Sequence, residues 1–171
     1  MYDKLITFLE SSFLHELLKQ PEITDISYNG CAIFYQDNKY GRRLSNIKIS
    51  AEDVLNFLRQ IANLSERQFS YTIPILDISF GRYRLNAVHP SLVRKKNDKV
   101  VSFSLRIASS EIRIKDDGKF LPQSLNKKIF EMIKNKKSIV IAGPTGSGKT
   151  EFQKYLISNL DDYTRVITID T

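Results

Sequence analysis

The sequence predicts an α+β domain of antiparallel strands and helices, followed by an incomplete α/β domain built round a phosphate-binding loop. Three observations carry this. Between Ile23 and Ile107 the apolar residues recur with period two in some stretches and near 3.6 in others, the mark of strands interleaved with helices. Residues 108–122 then lose that pattern and gain Ser, Asp-Gly and Pro. Finally, Gly143-Pro144-Thr145-Gly146-Ser147-Gly148-Lys149-Thr150 fits G-x-x-x-x-G-K-[ST] at every fixed position.

In order along the chain, Leu5, Ile6, Leu9, Phe13, Leu14 and Leu17 are spaced for one face of a helix over residues 2–19, with Pro21 beyond its end. That face either packs on the domain's own sheet or inserts at a membrane surface, although Lys4 and Lys19 make only a weakly basic polar side. A meander follows. Ile26 and Tyr28 alternate before Asn29-Gly30, a second apolar run spans Cys31 to Gln36, and a third lies around Leu44 to Ile49 after Asp37-Asn38-Lys39-Tyr40-Gly41. Cys31 reads as a half-buried strand residue.

Ser50 is an N-cap for a helix over residues 51–64, with Glu52 and Asp53 in its positive first turn. Two runs, Ile75–Phe80 and Tyr83–Val88, flank Gly81-Arg82 as a second hairpin. Arg94 to Lys99 reads as a solvated basic loop, and the strand after it sets Phe103, Leu105 and Ile107 on one face and Ser102, Ser104 and Arg106 on the other. The boundaries are therefore residues 1–107, a linker at 108–122, and a second domain at 123–171. In that second domain a helix over residues 124–136 leads to a strand at Ser138–Ala142, the glycine loop, a helix from Lys149 and a strand at Arg165–Thr171, one βαβ unit. The loop lies close to the chain's end, whereas a nucleotide-hydrolysing α/β domain needs further strands after it. The second domain is read as the beginning of one.

The loop's chemistry follows from its residue types. Gly143, Gly146 and Gly148 let backbone N–H groups approach phosphate oxygens, and the helix that follows points its positive end at the same anion. Lys149 would reach the β- and γ-phosphates of ATP or ADP, and the Thr150 hydroxyl would ligate Mg2+.

Composition bounds the rest. Lys and Arg number 26 against 19 acidic residues, a net charge of +7 that is compatible with lipid head groups, nucleic acid, acidic proteins or the nucleotide. There is no aromatic-basic interleaving around Arg94 to Lys99, so direct nucleic-acid binding is not expected. No apolar run is long enough to span a bilayer, no secretory cleavage site is visible, and one cysteine excludes an internal disulfide. These features predict a cytoplasmic setting. His15 and His89 have no neighbouring Cys or acidic pattern that would make them a metal site.

With these residues in hand, the chain resembles the type II/type IV secretion traffic ATPases, and among them the VirB-type ATPases of type IV secretion and conjugation. The resemblance is carried by Gly143 to Thr150, Phe152-Gln153-Lys154 and Arg165-Val166-Ile167-Thr168-Ile169-Asp170. Upstream it is carried by Ile75-Leu76-Asp77, Gly81-Arg82-Tyr83-Arg84-Leu85-Asn86, Pro90 and Ser104-Leu105-Arg106-Ile107. It implies a PAS-like N-terminal domain, a RecA-like ATPase domain, ATP or ADP with Mg2+, and self-association into a hexameric ring. It also implies partners among inner-membrane secretion components and a location at the inner face of the cytoplasmic membrane.

Site residues carried over from the family are Gly143, Pro144, Thr145, Gly146, Ser147, Gly148, Lys149, Thr150 and Glu151 for nucleotide, with Thr150 for Mg2+. Lys149 and Asp170 have catalytic roles, and Arg106, with Arg84 behind it, would reach a nucleotide held between the domains. Two departures stand out. Glu151 occupies a position where the family usually has Thr, and Asp170 stands alone where the family has an acidic pair. The implied function is the ATP-binding portion of an ATPase that couples hydrolysis to protein or DNA export or to pilus assembly. The alternative is a non-catalytic assembly module with a truncated nucleotide site.

Overall fold

The computed structural model describes residues 2–169 apart from 96, 97, 110, 111, 113, 115–118, 145, 146 and 168. The chain divides into two compact units, Met1–Ser110 and Glu111–Thr171.

Unit 1 is a six-stranded antiparallel sheet with helices on one face. Its elements are α1 (Tyr2–Glu10), α2 (His15–Leu18), β1 (Ile23–Tyr28), β2 (Ile33–Asp37), β3 (Gly41–Leu44), α3 (Ala51–Leu64), β4 (Ile75–Phe80) and β5 (Tyr83–Val88). Then come the two-residue strands β6 (Arg94–Lys95) and β7 (Asp98–Lys99), and β8 (Ser102–Ile107). The order across the sheet is β3-β2-β1-β8-β5-β4, so the last strand inserts between two hairpins.

Alternation decides which face is covered. Leu76, Ile78 and Phe80 on β4, Tyr83, Leu85 and Ala87 on β5, and Phe103, Leu105 and Ile107 on β8 are buried, while their odd-phase neighbours are not. Against this face α3 sets Val54, Phe57, Leu58, Ile61 and Ala62. Phe57 is the pivot, with ring centroids 5.6 Å from Phe8, 4.9 Å from Phe13 and 6.4 Å from Phe103. Burial of each such side chain contributes about 1.5–3 kcal/mol. The N-cap of α3 is as expected, since Ser50 Oγ accepts from Asp53 N at 3.1 Å.

The single helix expected over residues 2–19 breaks after Glu10. Ser12 Oγ donates to the Leu9 carbonyl at 2.7 Å and accepts from Leu14 N at 3.2 Å, so serine hydroxyls compete for backbone groups that a continuous helix would use. The apolar face still enters the core: Leu5 and Leu9 are buried, and Tyr83 Oη donates to Glu10 Oε1 at 2.7 Å, fastening the end of α1 to β5. The packing reading of that face therefore holds over membrane insertion.

Three further expectations are corrected. Cys31 is exposed in the β1–β2 turn and is not a strand residue; the turn is organised by Asn29 Oδ1, which accepts from Cys31 N and Ala32 N, both at 3.1 Å. The third meander strand starts at Gly41, because Asp37 Oδ1 accepts from Lys39 N at 2.7 Å and Tyr40 N at 3.0 Å and closes the turn early. The basic stretch at 94–99 is a short ladder, Arg94 opposite Lys99 and Lys95 opposite Asp98.

Unit 2 holds α4 (Gln123–Lys134) and α5 (Lys149–Ser158). The strands expected at 138–142 and 165–171 do not form among the described residues, and the βαβ unit is absent there. A strand needs a ladder partner. Here Val140 is 90 % exposed and Ile167 70 %, with no described residue paired to either. Ile133, Ile139, Ile141, Leu156, Ile157 and Leu160 instead line an open hollow of about 480 Å3.

Candidate phosphate-binding site

The site is built where the chain turns from residues 138–142 into α5. Ser147 N donates to the Pro144 carbonyl at 3.2 Å, closing a turn inside the loop. A Cβ on Gly143 would stand 2.8 Å from Ser147 Oγ, so a larger residue there would require the Ser147 hydroxyl to turn away. Gly148 has φ 87°, the left-handed conformation, and is the N-cap of α5 with no side-chain cap bond. The first intrahelical bond is Phe152 N to the Gly148 carbonyl at 2.8 Å. The N–H groups of Lys149 and Thr150 precede it, have no intrahelical acceptor, and lie at the positive end of the helix.

Lys149 bends back over the loop. Its Nζ donates to the Gly143 carbonyl at 2.9 Å and to the Pro144 carbonyl at 2.8 Å, so the ammonium sits over the turn that the glycines create. An ammonium has three donors, and these carbonyls take two of them. Thr150 is exposed beside it on the first turn of α5. Glu151 does not stand as a lone anion at this helix end: its Oε1 lies 3.1 Å from Lys154 Nζ one turn on, an i,i+3 ion pair.

The structure thus brings together Gly143, Pro144, Ser147, Gly148, Lys149, Thr150 and Glu151. Thr145, Gly146 and Asp170 lie outside the described residues. Arg106 belongs to unit 1, where it projects from the open face of β8 with its side chain 79 % exposed and its Nε 3.9 Å from Asp25 Oδ1. Arg84 stands directly opposite it on β5 and lies 3.3 Å from Asp77.

Sequence reasoning passed over what holds α5 behind the loop. Asn126 Nδ2 donates to Tyr155 Oη at 2.8 Å, joining α4 to α5, and Phe130 packs edge-on to the Tyr155 ring with centroids 6.1 Å apart. The signal was available: Asn126 precedes Ile129, Phe130 and Ile133 at helical spacing, a polar residue in the phase of an apolar face. Among the described residues no three His, Cys, Asp or Glu gather as a metal cluster, and no helix is long and apolar enough to cross a membrane.

No protein-family model matches the chain. An uncharacterized protein of Bacillus anthracis is 29 % identical over 150 residues, covering 85 % of this chain and 33 % of that protein. The type IV secretion system protein VirB11 of Bartonella quintana is 26 % identical over 159 residues, covering 71 % of this chain and 44 % of its own. Among solved structures, the VirB11 ATPase of the Brucella suis type IV secretion system, crystallised in complex with sulphate, superposes with a TM-score of 0.55. The identity there is 18 %, and the match covers 92 % of this chain and 55 % of that one. The chain thus spans between a third and about half of the length of these relatives. The Brucella structure shares the mixed α/β fold with its antiparallel sheet. Taken with the Bartonella sequence match, that shared fold makes the chain a relative of the type IV secretion traffic ATPases.

Proposed function

We propose that this chain is the nucleotide-binding portion of a secretion or conjugation traffic ATPase. In this reading residues 1–107 form a PAS-like assembly domain, 108–122 a linker, and 123–171 the start of a RecA-like nucleotide domain. The observation that carries the nucleotide assignment is the Lys149 ammonium held over the Gly143 and Pro144 carbonyls at the head of α5. The left-handed Gly148 and the close approach of Gly143 to Ser147 support the same reading, since both keep the described part of the loop free of bulk at the start of α5.

ATP or ADP would be held by the loop residues Gly143 to Thr150, with Lys149 neutralising phosphate charge and Thr150 offering its hydroxyl to Mg2+. When bound, the metal ion supplies charge neutralisation between the phosphates. The Glu151–Lys154 pair offsets the negative charge next to the phosphates. Arg106 and Asp170 keep the roles that the resemblance gives them, as charges serving the same nucleotide. Export of protein or DNA, or pilus assembly, is the work proposed for the longer relatives' counterpart of this chain. The partners would be further copies of itself in a ring and secretion components at the inner face of the cytoplasmic membrane, with no direct nucleic-acid binding.

The second reading, a non-catalytic assembly module, is favoured by one observation: unit 1 has a closed core, while residues 138–142 in unit 2 pair with none of the described residues. Titration with a fluorescent ATP analogue, with and without Mg2+, separates the two. Saturable Mg2+-dependent binding that Lys149→Ala weakens by about tenfold or more supports the nucleotide reading. No binding, in a chain that still self-associates, selects the assembly module.

A further inference from the structure

The sheet of unit 1 ends in two edges that complement each other. On its open face β3 presents Arg42 and Leu44; the Arg42 guanidinium lies 4.8 Å from the Phe34 ring centroid and Leu44 is 60 % exposed. On the same face β4 presents Ile75, Asp77 and Ser79, with Ile75 56 % exposed. β4 is the last strand on its side of the sheet, and beside it lies a hollow of about 150 Å3 lined by Leu5, Ser65, Arg67 and Asp77 to Phe80. An edge of this kind carries a row of unpaired backbone groups ready for another strand.

The phase of those backbone groups follows from the hairpins. The turn Gly81-Arg82 closes on the pair Phe80 and Tyr83, and His89 N donates to the Pro74 carbonyl at 2.8 Å. Pro74, Leu76, Ile78 and Phe80 therefore face β5, and Ile75, Asp77 and Ser79 direct their N–H and C=O groups outward. At the opposite edge Ser45 N donates to the Ile33 carbonyl at 2.9 Å, which turns Arg43 toward β2 and leaves Arg42 and Leu44 facing outward.

We propose that β4 of one copy pairs antiparallel with β3 of a second copy, Arg42 opposite Asp77 and Leu44 opposite Ile75. In this register both pairs have outward-directed backbone groups, so each can exchange two hydrogen bonds, and all four side chains lie on one continuous face. One pair joins opposite charges and the other joins two exposed apolar side chains. Sliding by two residues puts Arg42 against Ile75 or Ser79 and loses the charge pair. Sliding by one turns the backbone groups out of phase. Pairing β4 with a second β4 centred on Asp77 sets two carboxylates opposite each other, and pairing β3 with a second β3 centred on Arg42 sets two arginines opposite each other. Asp77 already lies 3.3 Å from Arg84, so an incoming Arg42 joins an existing pair. The contact uses a different edge on each copy and leaves one of each free, so it propagates from copy to copy.

This gives a surface to the self-association proposed above and needs nothing from the nucleotide loop. The test starts from a Cys31→Ser background carrying Leu44→Cys and Ile75→Cys, treated with a short bismaleimide, whose two double bonds each add one cysteine thiol, and from sedimentation velocity over rising concentration. A ladder of crosslinked copies is expected for the 44–75 pair and not for Leu44→Cys with Ser79→Cys. Arg42→Asp and Asp77→Arg should each weaken association by about tenfold, and the two together in one chain should restore it. A chain that stays monomeric throughout overturns both this pairing and self-association. Association that survives either single reversal, or that the double reversal does not restore, overturns the pairing and leaves self-association standing.

Discussion

Arg84 and Arg106 stand directly opposite each other on β5 and β8, two like charges on the open face of one sheet. Such a pair opposes folding, and the carboxylates beside it, Asp77 at 3.3 Å from Arg84 and Asp25 at 3.9 Å from Arg106, offset it only in part because all four groups are solvated. Removing one arginine should therefore cost little. Arg106→Thr is expected to change the urea unfolding free energy by less than about 0.5 kcal/mol, in either direction. A loss of 2 kcal/mol or more would show that the arginine supports the fold and would remove the reason for giving it a role toward an anion.

The loop makes a sharper demand. Gly148 sits at φ 87° with nothing within 4 Å of where a Cβ would be, so its cost on substitution is one of backbone strain and not of crowding. Gly148→Ala should destabilise the start of α5 by about 1–2 kcal/mol, and Gly148→Asn by less, because Asn tolerates the left-handed region. Amide exchange at Lys149 to Phe152 reads this directly. Equal effects of the two substitutions would mean that the conformation is not what the glycine is there for.

His89 ties stability to pH. It is buried, its Nδ1 accepts from Ser91 N at 3.2 Å, and its ring meets Phe69 edge-on at 5.4 Å. Burial pushes its pKa below the ordinary histidine value, and the Arg59 charge adds to the shift. The unfolded chain then binds this proton at a higher pH than the folded one does. Stability from this group is complete above the ordinary value of about 6.5 and is lost as pH falls through the depressed folded value. The urea midpoint should decline between pH 7 and 5 more steeply in the native chain than in His89→Gln. Parallel profiles would place the pH dependence elsewhere.

Much of unit 1 was legible because its signals are local. Asn29-Gly30, Gly81-Arg82 and Ser50 fix turns and a cap through neighbours a few residues away, and the alternation in β4, β5 and β8 directly reports one covered face. Less legible was what depends on competition or on distant chain. The break after Glu10 turns on whether Ser12 gives its hydroxyl to Leu9, which periodicity cannot see. Cys31 reads as a strand residue until Asn29 Oδ1 takes its N–H into the turn. At the site, the pattern named every loop residue but not the Lys149 contacts to Gly143 and Pro144, nor the Asn126–Tyr155 bond, because motifs record residue types and not where side chains end.

The unpaired segment in unit 2 is where the two functional readings diverge most measurably. Ser138 to Ala142 have the β-branched, apolar composition of a buried strand, yet Val140 is 90 % exposed and no described residue pairs with it. Backbone amides without a ladder exchange at rates close to those of an unfolded chain, whereas β5 and β8, paired on both sides at the centre of unit 1, open only with the whole unit. Hydrogen exchange read by mass spectrometry should therefore show residues 138–142 labelled within seconds and 83–88 and 102–107 protected for far longer. If the nucleotide reading is right, saturating ATP analogue with Mg2+ should slow exchange at 147–152, where the phosphates would be held, without protecting 138–142 to the level of β5. Protection of 138–142 before any nucleotide is added would mean that the segment already lies in a ladder, and the βαβ unit expected from the sequence would be restored.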